Sequence, residues 1–83
     1  MATARYTTLE ASYSALTSGE CVVEVASKGS VRIHVGVSAP AAGTTAYHNI
    51  TYPDGLFVYN GTETVYVRAE DALEPDVIAT HII

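Results

Sequence analysis

The groups that could do chemistry in this chain are three histidines, one cysteine and nine carboxylates. His34, His48 and His81 are scattered: no two share a face of one strand, and none has an Asp or Glu beside it to complete a metal set. They read as solvated or packing side chains. Cys21 has no Cys-x-x-Cys partner and no nucleophile signature around it. It alternates with Val23 and Val25, the pattern of a buried, inert thiol, whereas a nucleophile would need a positioned base and an oxyanion pocket. Glu70, Asp71, Glu74 and Asp76 gather around a bend and could offer oxygens to calcium. Their spacing matches no calcium loop and Pro75 interrupts them, so they read as a solvated acidic bend. These residues give no reason to expect an enzyme, a metal or another cofactor.

The aromatic choice is unusual, with six tyrosines against one phenylalanine and no tryptophan. Tyrosine joins an apolar ring to a polar tip, which suits the rim of a small core, a protein interface or a sugar-stacking platform. All three readings stay open at this point. The candidate interface residues are Arg5, Tyr6, Tyr13, Tyr47, Tyr52 and Tyr59, with Ile82 and Ile83 at the apolar C-terminus. Asn49-Ile50-Thr51 and Asn60-Gly61-Thr62 both satisfy the glycosylation sequon. In a threonine-rich chain whose first residues lack the apolar run of a signal peptide, they read as coincidence.

Composition narrows the partners. The 83 residues make one small domain, with no disulfide and no Cys/His zinc cluster available to staple it. Four basic against nine acidic residues give a formal net charge of −5. Such a chain neutralises few phosphates, so neither nucleic acid nor an anionic membrane surface is an expected partner. No stretch approaches the roughly 18 apolar residues of a helical span. Charged residues make up 16% of the chain, against about 25% in average domains. A surface so poor in charge suits coverage by other subunits, and a homo-oligomer is expected.

Strands must position these residues, because period-2 alternation dominates the chain. Thr8 to Ala15 alternates Leu9, Ala11, Tyr13 and Ala15 against polar neighbours. Glu20 to Ala26 and Val31 to Gly36 flank Ser27-Lys28-Gly29-Ser30, where Gly29 is available for positive φ, and the pair reads as a hairpin. Ser38 to Thr45 is a Pro- and Gly-punctuated loop. Tyr47 to Tyr52 leads into a Pro53-Asp54-Gly55 turn with glycine in its strained position. Leu56 to Tyr59 and Thr64 to Ala69 flank Asn60-Gly61, the favoured type I′ dipeptide, and read as a second hairpin. Val77 to Ile83 is the last strand, paired in a sheet or against a neighbour. The expectation is an all-β, small antiparallel β-sandwich or barrel of six to seven strands, with residues 1–7 as an N-terminal arm and residues 8–83 as the single domain.

Two stretches carry a resemblance. Val35-Gly36-Val37-Ser38-Ala39-Pro40-Ala41-Ala42 runs from a strand into a small-residue loop. Gly61-Thr62-Glu63-Thr64-Val65-Tyr66-Val67-Arg68-Ala69 runs from a Gly-Thr turn into a strand. In this order they resemble the small all-β virion proteins of tailed bacteriophages, over about residues 20–70, with a departure at Tyr52-Pro53-Asp54-Gly55-Leu56-Phe57. The resemblance implies a many-copy structural role in a virion assembled in the host cytoplasm, with no catalytic residues to carry over. The expected role is a capsid decoration, or cement, protein that contacts the major capsid protein or other virion proteins, with a trimer among the expected oligomers. A phage fibre, neck or baseplate component and a carbohydrate-binding module are the alternatives.

Overall fold

The computed structural model describes residues 2–6, 12–41, 43–70 and 76–81. Among these, every regular element is a strand: β1 (Ala2–Tyr6), β2 (Ser14–Ser18), β3 (Cys21–Val25), β4 (Ser30–Gly36), β5 (His48–Thr51), β6 (Leu56–Tyr59), β7 (Thr64–Ala69) and β8 (Val77–His81). They form two four-stranded antiparallel sheets, ordered β1-β8-β3-β6 and β2-β7-β4-β5. The fold is the expected all-β sandwich, with one strand more than the six or seven expected.

The additional strand is the N-terminal segment. Residues 2–6 of the expected arm pair with β8 along their whole length, from Ala2 opposite His81 to Tyr6 opposite Val77. Tyr6 donates its hydroxyl to the Leu16 carbonyl at 3.1 Å, and Arg5 binds Asp76 at 2.9 Å. These bonds tie the segment to the sheet as an edge strand instead of leaving it free to reach a neighbour.

Alternation fills the space between the sheets. Cys21, Val23 and Val25 of β3 and Val77 and Ala79 of β8 face Val31 and Ile33 of β4 and Val65, Val67 and Ala69 of β7, all buried. Most are β-branched, and each fully buried valine or isoleucine is worth roughly 1.5–3 kcal/mol. Val65 and Val67 share the inner face of β7 while Thr64, Tyr66 and Arg68 lie on the other, as the alternation requires.

Both expected hairpins are arches instead. β3 pairs with β6 and β8, while β4 pairs with β5 and β7. The backbone groups at the turn are already committed: Val25 N–H donates to Gly55 O at 3.1 Å and Ala26 N–H to Asp76 O at 2.8 Å, while Ser30 O accepts from Glu70 N–H at 2.9 Å. The chain therefore crosses from one layer to the other through Gly29, at φ +130°. At Asn60-Gly61 the chain crosses from β6 to β7 in the opposite sheet. Positive φ occurs at Gly19 and Gly29 and not at Gly61, so no type I′ turn forms there. Instead the Tyr59 ring lies over Gly61, and its hydroxyl accepts Glu63 N–H at 3.0 Å.

Two further expectations change in detail. The strand read over residues 8–15 is observed as Ser14–Ser18, and residues 7–11 lie outside the described segments. Ala15 lies opposite the outward Tyr66 and is exposed, Leu16 turns into the core, and a bulge between Ala15 and Thr17 then sets Thr17 opposite Val65; Tyr13 is buried too, but against the outer face. Gly55 does not have positive φ; glycine is needed there because the chain passes against Thr51.

Candidate interaction surface

Register and alternation define the two outer faces of the sandwich. On the β2-β7-β4-β5 sheet, Arg32, His34, Tyr66, Arg68, Asn49 and Thr51 point away from the core. This face is polar and internally bonded. Arg32 binds Glu70 through both Nε and Nη2, the second at 3.0 Å, and Asn49 Nδ2 donates to the same carboxylate at 3.2 Å. The guanidinium also stacks 4.3 Å above the Tyr47 ring. The hydrogen bonds from Arg32 hold the Glu70 carboxyl below its ordinary pKa, and the same bonds raise Arg32. Ser30 and Thr51 pair their hydroxyls at 2.8 Å, and Ser18 and Thr64 do so at 3.1 Å.

Tyr13 lies against this face at 8% exposure, its ring meeting His34 edge-on at 6.1 Å. Its hydroxyl is buried with no hydrogen-bond partner among the described residues, and burial pushes its pKa up. His34 Nδ1 contacts the Ala46 carbonyl at 2.7 Å; a carbonyl only accepts, so this nitrogen carries the proton. Where β5 parts from β4, a groove of roughly 420 Å³ opens beside His34, Val35, Ala46, Tyr47 and His48. It is shallow, and His48 packs on Phe57 at 5.5 Å.

The outer face of the β1-β8-β3-β6 sheet is of a different kind. Its cross-strand rows run Thr3–Thr80–Val22–Val58 and Arg5–Ile78–Glu24–Leu56. Leu56 and Val58 are each 57% exposed, and Val22 and Ile78 beside them are half-buried. Four aliphatic side chains thus form a stripe on an outer face, next to the edge of β6 that has no strand partner among the described residues. Glu24 lies between Ile78 and Leu56 and Arg5 beside Ile78, so charges border the patch; an aliphatic patch with a charged rim is suited to being covered by another protein. The sequence shows Leu56 to Tyr59 as an apolar strand, but not that one of its faces is left open.

The expected interface residues are dispersed. Arg5 is exposed on the outer face and ion-paired with Asp76, and Tyr6 and Tyr59 are half-buried against the core. Tyr13 is buried, Tyr47 lies beneath Arg32, and Tyr52 is 41% exposed. Ile82 and Ile83 lie outside the described residues. The six tyrosines are distributed over both sheets and their loops and do not converge on one sugar-stacking platform. Of the acidic bend, Glu70 and Asp76 each bind a different arginine, and residues 71–75 lie outside the described segments. Cys21 is fully buried and burial raises its thiol pKa. Among the described residues no three His, Cys, Asp or Glu side chains group as a metal site, and no helix is long and apolar enough to cross a membrane.

In comparisons with known proteins, no family model, no curated protein and no solved structure matches this chain.

Proposed function

We propose that this chain is a structural, non-enzymatic protein of a bacteriophage virion, acting as a capsid decoration protein that binds across capsid subunits. The observation that carries the reading is the Leu56–Val58–Val22–Ile78 stripe, an aliphatic surface on a sheet face that nothing in the chain covers among the described residues. The resemblance of residues 35–42 and 61–69 to small virion proteins supports the same reading. A rigid two-layer module with one sticky face needs only a few kcal/mol per copy, because a lattice multiplies weak contacts.

Immunogold labelling of intact phage particles tests it. Label over the capsid is the expected result, and its loss in particles carrying Val58→Lys would tie binding to the stripe. Label over the tail would move the chain to a fibre, neck or baseplate role. Unlabelled particles in a lysate rich in the free protein would overturn the virion reading altogether.

A further inference from the structure

We infer that the edge of β6, which has no strand partner among the described residues, pairs with β6 of a second copy, about a twofold axis, to make one continuous eight-stranded sheet. This pairing goes beyond the reading of the outer stripe, because it concerns the hydrogen-bonding edge beside that stripe and leaves the face itself open to the proposed capsid contact.

The four sheet edges differ. β1 carries Arg5, committed to Asp76, and β2 is bulged between Ala15 and Thr17. β5 is polar, with His48, Asn49 and Thr51 among its residues. These are features that blunt an edge. β6, Leu56-Phe57-Val58-Tyr59, has no charge and no bulge.

The hydrogen-bond phase of β6 is fixed by its neighbour. Val25 N–H donates to Gly55 O, so alternation turns the N–H and C=O groups of Phe57 and Tyr59 toward β3 and those of Leu56 and Val58 outward. A twofold axis through Phe57 then sets Leu56 opposite Val58 of the second copy, each pair exchanging both of its N–H···O=C bonds. On the outer face every new cross-strand pair is Leu–Val. On the inner face Phe57 meets its own copy in the closely spaced, non-hydrogen-bonded position.

Charge favours a second copy as the occupant. Extending the register sets Asp54 beside Asn60 of the second copy, not beside another acid. Glu24 and its copy stand three strand spacings apart, about 14 Å, beyond the Debye length of about 8 Å at physiological salt. Two protomers of net charge −5 thus meet along an edge where no acid faces an acid. Pairing also joins the two aliphatic stripes into one band across the axis.

Sedimentation velocity of the full chain from about 1 μM to 1 mM tests this. A concentration-dependent dimer is expected. Val58→Lys and Leu56→Lys should weaken it by about tenfold or more, with unchanged far-UV circular dichroism. Val58→Thr, which keeps the β-branch, serves as a second variant that weakens the dimer if lysine disturbs folding. Ala15→Lys on the opposite edge should leave it intact. A wild-type chain that stays monomeric to 1 mM overturns the pairing, as does a dimer equally lost in Ala15→Lys or unmoved by all three edge variants. A monomer that still decorates particles removes this inference and leaves the proposed function; a dimer that labels no particle does the reverse.

Discussion

Gly55 passes so close to Thr51 that a Cβ on residue 55 would stand 2.7 Å from the Thr51 carbonyl oxygen and 2.8 Å from its nitrogen. Both atoms belong to the backbone of β5, so they cannot swing aside. Gly55→Ala is expected to cost about 1–3 kcal/mol, the range of overpacking. At Gly61 the obstruction is the Tyr59 ring and its hydroxyl. That ring can move, at the expense of the bond from Glu63 N–H and about 1 kcal/mol. At Gly43 a Cβ meets nothing within 4 Å, and Gly43→Ala should change stability by no more than about 0.5 kcal/mol. Urea unfolding midpoints of the three variants should rank Gly55, Gly61, Gly43 from most to least damaging.

Which residues lie inside was legible in the sequence, because the period of two is written directly in the residue types. Cys21, Val23 and Val25, then Val31 and Ile33, then Val65 and Val67 are buried as the alternation requires. Which strand pairs with which was not legible. A hairpin and an arch share the same alternating pattern, and differ only in whether the two apolar faces lie side by side or look at each other across the core. What decides between them is the fate of a few turn amides, such as Val25 donating to Gly55 and Ala26 to Asp76, and those partners lie far off in sequence. The same blindness hid the candidate surface. Leu56 and Val58 read as strand residues, and only the position of β6 at an edge, with its outer face uncovered among the described residues, gives them a second meaning.

The Arg32–Glu70 pair makes stability depend on pH in a definite direction. Arg32 holds the Glu70 carboxyl below its ordinary value of 4.5. A group whose pKa is lower folded than unfolded contributes stability above its unfolded pKa and loses that contribution as pH falls through the folded one. Wild type should therefore exceed Glu70→Gln in stability at pH 7, and the gap should close as the pH drops below about 4. Urea titrations of both proteins from pH 7 to pH 3 measure it. A gap constant across that range would mean that the carboxylate charge plays no part in the contact.

Tyr13 carries a buried hydroxyl with no partner among the described residues, held in place by ring packing against His34. An unmade hydrogen bond costs the desolvation of the group, so removing the oxygen removes a penalty. Tyr13→Phe should match wild type or exceed it by as much as about 1 kcal/mol, whereas Tyr13→Ala should lose about 3–5 kcal/mol through the cavity it leaves. Thermal and urea unfolding distinguish the two effects. A loss of more than about 1 kcal/mol in Tyr13→Phe would show that the hydroxyl is bonded after all.

The pairing of β2 with β7 sets which of two neighbouring residues matters. Ala15 lies opposite Tyr66 and Thr17 opposite Val65, so Leu16 between them has no cross-strand partner and turns into the core at 6% exposure. Ala15 shares the outer side with Tyr66, and Leu16 would face the core in an unbulged strand too; what the bulge moves is the next pair, setting Thr17 and not Leu16 opposite Val65. Ala15→Asp should therefore cost no more than about 0.5 kcal/mol. Leu16→Ala should cost about 2–5 kcal/mol, and Leu16→Asp should leave the chain unfolded at 25 °C, because it buries a carboxylate with no countercharge. Circular dichroism and urea unfolding of the three variants check the side on which each residue lies. A damaging Ala15→Asp beside a harmless Leu16→Ala would put Ala15, not Leu16, on the inner side of β2.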